Sequence, residues 1–448
     1  MPTKIYVIFF GKPKGIEGWP NLNFDCEQRE KCLFKKLKNL ARDIEFVDGD
    51  IIYDSRGAKR IKEKIKKAGK IDGIVIYTLS AHFSAPSPEE ILNLCHPALI
   101  VSDIFGGDIA LLSAMDLIKK KKIPALPISS SGFSELKRGL NFIKVIHKLK
   151  ENKILAIGKS KDFGDQAHFW RRDYENFLDQ VKKLLGVKII ILGPERLNEY
   201  YGKISEKIAA KVAADWIRKS AKVVEPRRQE IIKSARLYLA MKGLLNEFNA
   251  DAITIDCLPL FYERKIPAYP CLGYFQLNNE GLVGVCEEDL EAALTHLMGQ
   301  HLTGRPGFVS DPVINTANSQ IIYAHCVASA RPLGKNNLSS RYKIRSHAED
   351  GKGASVQVFL PKGYPLTTVK LNILDKKLAI HQAKSVGNIE EERACRTKLA
   401  AEANVRNILE NWDFRTFGWH RVTFYGDFRE DFCNLATLLG FKIVEEDK

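Results

Sequence analysis

The stretch ALIVSDIFGGDIALLSAMDLIK, residues 98–119, decides the fold class. Ala98 to Val101 is a short apolar run of strand length, and Asp108 to Lys119 places its apolar residues at helical spacing. Asp103-Ile104-Phe105-Gly106-Gly107 between them reads as the turn at a strand's carboxyl end. The same unit recurs on both sides. Ile5 to Phe10, Ile44 to Val47, Gly73 to Thr78 and Ala125 to Ile128 read as buried strands, and Glu27 to Leu40, Ala58 to Lys67 and Ser134 to Leu149 as helices. Alternation at this spacing implies crossover units and a parallel sheet covered on both faces. Ligands of such sheets sit at the strands' carboxyl ends, which here also carry Gly11-Lys12 and Ser80-Ala81-His82.

The alternation restarts at Lys153. Ile154 to Ile157, Val187 to Leu192 and Ala252 to Ile255 read as strands, with helices over Gln166 to Leu185, Ile204 to Ala221 and from Pro226 to about Phe248. From about residue 330 the texture changes to short alternating segments split by Pro, Gly and Asp: Tyr342 to Ile344, Ser355 to Leu360, Leu366 to Ile373 and Lys377 to His381. That is the mark of an antiparallel sheet or small barrel. One helix is expected at Arg396 to Leu409, before the segment His420 to Tyr425. The expected architecture is α/β: two doubly wound parallel-sheet domains, 1–150 and 151–330, followed by a β-rich C-terminal domain, 331–448.

With 448 residues, 45% of them hydrophobic and 27% charged, the chain is long enough for about three domains and is neither disordered nor fibrous. No run of about 18 apolar residues predicts a membrane span, and the first apolar stretch, Ile5 to Phe10, is too short for a signal peptide. Nine cysteines without short-spaced pairs give no disulfide framework or zinc knuckle, so reduced thiols in a cytoplasmic protein are expected. The net charge of +15 raises nucleic acid, anionic lipid or phosphorylated substrates as partners. No recognition helix or aromatic platform accompanies that charge, so nucleic acid is not expected as a partner.

Three polar clusters stand where elements start or stop. Asp256-Cys257-Leu258-Pro259 ends a strand. Cys286-Glu287-Glu288-Asp289 precedes Leu290, Ala293, Leu294 and Leu297 at helical spacing. Acids at a helix N-terminus meet the positive end of its dipole, so they have a purely structural explanation. The functional one is a carboxylate, Asp289, turned inward to bind a divalent cation or move a proton. Trp419-His420-Arg421 opens the third cluster. A polar loop, Arg345 to Gly353, reads equally as a hinge or a substrate loop, and His325 beside Ile321, Ile322 and Tyr323 favours a satisfied core histidine.

Cys257-Leu258-Pro259, Pro270-Cys271, Leu277 to Gly281, Cys286 to Asp289, Leu302-Thr303-Gly304, His325-Cys326, and His420 to Asp427 with Leu439-Gly440 together resemble the L-fucose isomerase family, in its uncharacterised fucose-isomerase-like branch. The resemblance spans roughly residues 250–330 and 415–445. It implies a homo-oligomer acting on a sugar through a divalent metal, typically manganese, held by a Glu, an Asp and a His. By motif the Asp is Asp289 and the His is His420. The Glu position is Leu260.

Aldose–ketose isomerisation needs a carboxylate base within hydrogen-bond reach and a cation to hold two sugar oxygens. Leucine supplies neither ligand nor proton site. Glu263 is the nearest replacement base, with Asp256 and Glu287 as further candidates, although Glu263 also stands beside Arg264 and Lys265 as ion-pair partners. The expected function is therefore a sugar isomerase with Asp289 and Glu263 as catalytic groups and Asp289 and His420 on the metal. The alternative is a non-isomerising relative with altered metal chemistry or a carbohydrate-binding role.

Overall fold

The computed structural model describes residues 2–47, 49–82, 89–93, 96–158 and 174–448, and strand counts below refer to these. The fold is α/β with a β-rich C-terminal region, and the chain divides into two compact units.

The first unit is Met1–Lys148 with Cys433–Phe441. Its sheet is parallel throughout, in the order Ile44–Val47, Thr3–Phe10, Gly73–Thr78, Ala98–Ser102, Ala125–Ile128, with Ile51–Ile52 added beside Thr3–Phe10. Every residue of Gly73–Thr78 and Ala98–Ser102 is buried, as expected of central strands covered on both faces.

The second unit is Leu149–Phe432 with Lys442–Lys448. It begins with a four-stranded parallel sheet in the order Val283–Val285, Ala252–Ile255, Lys153–Ile157, Lys188–Leu192. The 21-residue helix Arg228–Phe248 buries Ile231, Ala235, Tyr238, Met241 and Leu245, an i, i+3, i+4 stripe. Of the helix expected at Gln166 to Leu185, Tyr174–Leu184 is helical and the earlier part lies outside the described residues.

The antiparallel part is a seven-stranded sheet that closes on itself. Pro365–Asn372 pairs with Arg421–Tyr425 on one side and Lys377–Asn388 on the other. Phe308–Asn315, Gln320–His325 and Thr397–Glu402 complete the circuit, and Lys442–Glu445 runs parallel to Lys377–Asn388. Two of these strands precede residue 331. The helix expected at Arg396 to Leu409 is instead the strand Thr397–Glu402 followed by the short helix Val405–Glu410. Its Leu-Ala-Ala centre favours a helix locally, but pairing on both edges and burial of Leu399 and Ala401 override that preference.

The closed sheet encloses polar groups that satisfy one another. Thr368 bonds Thr423 at 2.9 Å and donates to the Tyr323 hydroxyl at 3.1 Å, which meets His381 Nε2 at 2.9 Å. His381 Nδ1 lies 2.7 Å from Glu446, whose carboxylate also accepts from Arg421 Nη2 at 2.7 Å. Arg421 and Glu446 are fully buried, and the Arg421 guanidinium lies 3.8 Å from the Trp412 ring. Burial alone would push the Glu446 carboxyl up, but Arg421 and His381 hold it down at about 2.

Glu446→Gln leaves Arg421 buried without a counter-charge, and a loss of about 3–5 kcal/mol is expected, read as a lowered unfolding temperature. Because the folded value lies below the unfolded one of about 4.3, the pair's contribution is complete above that pH. It should drain away as pH falls from there through about 2, and the variant's acid-unfolding curve should lack that component.

Candidate active site

The strand Val283–Val285 ends at Cys286, and the chain turns sharply into the helix Leu290–Thr303. Glu287 and Glu288 make that turn, both in the left-handed region at φ +60° and +51°. Two consecutive non-glycine residues there cost about 1–2 kcal/mol each. The turn separates the two acids. Glu288 is fully buried beside Gly158, where an added Cβ would come within 2.4 Å of its carboxylate. Glu287 lines a cavity of about 210 Å3 together with Asp289, Glu291, Asp311, Lys370 and His420.

Asp289 is the helix N-cap, accepting the Ala292 N–H at 2.7 Å on Oδ1. Its Oδ2 accepts two further bonds, from Lys370 Nζ at 2.5 Å and from His420 Nδ1 at 2.9 Å. Asp289 and His420, 131 positions apart, therefore meet directly. The other face of the imidazole, Nε2, lies 3.2 Å from Asp311 Oδ1 and 3.7 Å from Glu287 Oε2. Burial opposes charge on His420, yet Asp289 and Asp311 outweigh it and raise its pKa well above the ordinary histidine value.

The neighbouring groups respond to the same crowding. The Glu287 carboxyl is pushed up to about 7, chiefly by its enclosure, with His420 opposing. Glu291, buried on the helix's first turn, goes up to about 8 by burial while Oε1 accepts the Ile373 N–H at 2.8 Å. Asp311 also suffers burial, but the His420 hydrogen bond and the charges of His325 and His420 hold its carboxyl below the usual range.

His325 lies with its ring 5.4 Å from that of His420. Its Nδ1 accepts the Cys326 N–H at 2.8 Å, which assigns the ring proton to Nε2 in the neutral form, and burial lowers the pKa to about 4. Nε2 has no hydrogen-bond partner among the described residues and lies 3.9 Å from Glu287 Oε1. The expectation of a satisfied core histidine fails at that atom.

One donor atom each from Asp311, His325 and His420 lie within 4.8 Å of one another, as do those of Cys286, Glu287 and His325. The tautomer of His325 makes it a hydrogen-bond donor rather than a ligand. That leaves Asp311 with His420 Nε2 in one group and Glu287 with Cys286 in the other, Glu287 Oε2 standing 3.7 Å from the same His420 nitrogen, and Asp289 lies behind the imidazole in the arrangement common to metal-bound histidines.

Glu263 does not line this cavity; it caps the short helix Cys257–Tyr262 and pairs with Lys265 at 3.0 Å. Leu260 is fully buried in the hydrophobic core, so no carboxylate enters from the expected glutamate position. Asp256 is that helix's N-cap. Asp311 and Lys370 were not legible as site residues. The available signals were a lysine between Val369 and Leu371 in an apolar strand pattern and an acid beside Pro312.

No family model matches the chain. Curated relatives are similar to it over much of its length. Two sulfoquinovose isomerases, from Priestia aryabhattai and Priestia megaterium, are each 23% identical over 326 residues, 68% of this chain and 67% of theirs. A sulfoquinovose isomerase from a Clostridium species is 25% identical over 217 residues, 46% of each chain.

Replacing Asp289 with Asn removes the charge that favours imidazolium while keeping a side-chain acceptor for the helix cap. The His420 pKa is expected to fall, and a histidine NMR titration of the variant against the parent measures the shift. An unchanged value would mean that Asp289 does not control that ring.

Proposed function

We propose that the chain is a sugar isomerase interconverting an aldose and a ketose, of the L-fucose isomerase type, with a sulfonated hexose such as sulfoquinovose as the first substrate to test. The observation that carries this reading is the convergence of Glu287, Asp311 and His420 Nε2 in one cavity of about 210 Å3, backed by Asp289 and Lys370. The relatives' names supply the substrate class.

Two carboxylates and an imidazole suit a divalent cation such as manganese, which accepts both oxygen and nitrogen donors. Such a cation, when bound, would hold the substrate's neighbouring oxygens and stabilise the enediolate. The chain's own groups do the rest. Lys370 fixes Asp289, and Asp289 fixes the imidazole so that Nε2 faces the cavity. Glu287, 36% exposed and facing the cavity, is placed to take the proton alpha to the carbonyl and return it to the adjacent carbon. His325 Nε2–H offers a neutral donor to a substrate oxygen. Phe414, Phe417 and Trp419 supply an aromatic wall to the cavity.

A second reading follows from Lys370. Its ammonium already sits on Asp289, so a fixed positive charge stands where the family resemblance puts the cation's aspartate. That favours a relative in which the metal chemistry is altered or isomerisation is lost.

Purified protein treated with chelator, then reconstituted with manganese, is to be assayed for ketose formation from sulfoquinovose, L-fucose and glucose. Turnover that disappears with chelation and returns with manganese supports the isomerase. Bound metal without conversion of any aldose supports the second reading. In the active protein, Glu287→Gln is expected to lower the rate by about 10²–10⁴-fold, whereas Glu263→Gln should leave it unchanged. A loss confined to the Glu263 variant would overturn the assignment of the base.

A further inference from the structure

A second cavity of the same unit, about 200 Å3, is lined by basic side chains: Lys222, Lys343, Arg345, Arg396 and Lys398, together with the acids Glu390 to Glu392. Three of the cations are more than nine-tenths buried, Arg345 at 8%, Arg396 at 7% and Lys398 at 5% exposure. Buried cations of this kind need an anion nearby.

The chain supplies that anion incompletely. Arg345 is answered in part by Glu225, whose Oε1 lies 2.6 Å from Nε and 2.5 Å from Nη2, and its Nη1 reaches Gln357 at 3.1 Å. Arg396 donates to the Ser346 carbonyl at 2.9 Å and to its hydroxyl at 3.2 Å. Arg345 Nη2 and Arg396 Nη1 also meet at one atom, Glu392 Oε2, at 2.9 and 3.0 Å. Glu392 itself is 77% exposed. A carboxylate so open to water gains little from its partners and swings away at small cost.

Lys398 is worse served. Its ammonium donates to the Glu391 carbonyl at 2.6 Å, and no carboxylate lies within ion-pair range of it among the described residues. Burial lowers its pKa accordingly. With Glu225 counted, five lining cations face four carboxylates; Arg396 has only the exposed Glu392, and Lys398 only a neutral carbonyl, so the basin is short of negative charge.

We propose that this basin is a second ligand site, binding a tetrahedral oxyanion (a sulfonate, sulfate or phosphate group), and that Glu392 stands in for that anion in the free chain. Three oxygens on one centre can serve the Arg345 and Arg396 donors that now share one Glu392 oxygen and leave one for Lys398, which lines the same cavity. The site adjoins the loop that begins at Ser346, which Arg396 holds, and three residues further on Glu349 lines the candidate active site. Occupancy of the basin therefore bears on that loop's position. The proposal stands whether or not the chain isomerises sugars.

The test is titration of the full chain with sodium sulfate, with ionic strength held constant by sodium chloride, followed by calorimetry and by unfolding temperature. A saturable rise of about 2 °C specific to sulfate is expected. Lys398→Met keeps the side chain's length and removes the unbalanced charge. It should unfold no lower than the parent without sulfate and bind sulfate at least about tenfold more weakly. Glu392→Gln, at an exposed position, should bind sulfate up to about fivefold more tightly, the equivalent of one exposed ion pair. A sulfate response equal to that of chloride overturns the proposal. So does binding unaltered by Lys398→Met, or weakened by Glu392→Gln. Repeating the titration with phosphate and with methanesulfonate distinguishes the oxyanion the site prefers.

Discussion

One carboxylate carries much of the structure's organisation. Asp289 accepts from the first turn of the helix Leu290–Thr303, from a lysine on one barrel strand and from a histidine at the mouth of another. It thereby ties the end of the parallel sheet to the closed antiparallel sheet, and the candidate site exists because those two layers meet there. Burying the lysine is feasible only because Asp289 answers its charge, and the raised pKa of His420 follows from the same contact. A buried group so fully engaged is a fixture of the site, poorly suited to leave its partners during a reaction.

The acids around it show how environment divides chemically similar groups. Glu287, Glu288, Asp289 and Glu291 lie within five positions, yet they do four different things. Glu287 reaches the cavity and Glu288 lies buried beside Gly158. Asp289 caps the helix, and Glu291 bonds a backbone amide. The left-handed backbone at Glu287 and Glu288 produces this division, so its strain is tied to placing one acid in the cavity while hiding the next.

The first unit was readable because a strand buried on both faces is a continuous apolar run and a crossover helix is amphipathic, both visible in one dimension. Asp289 and His420 were readable as a pair only through the family resemblance; periodicity placed each at an element end and said nothing of their meeting. Asp311 and Lys370 come from strands whose relation to His420 is set by pairing across the closed sheet, from residue 308 to 423 and from 366 to 425. No local pattern encodes such partners. The strand Thr397–Glu402 failed for the opposite reason: its local preference is real and loses to two neighbouring strands. Glu263 drew attention by nearness to the Pro259 turn, but the short helix there carries it to Lys265 instead.

The closure of the antiparallel sheet also governs when the site can form. Phe308–Asn315 pairs early with Gln320–His325 but finds its second partner only at Arg421–Tyr425, and the buried Arg421 finds its counter-charge only at Glu446. A ribosome must therefore pass residue 446 before the barrel holding Asp311, Lys370 and His420 can settle, although the parallel sheet bearing Glu287 is complete by residue 285. During that interval the nascent chain carries unpaired strand edges and an Asp289 without its lysine and histidine, so the candidate site cannot yet exist.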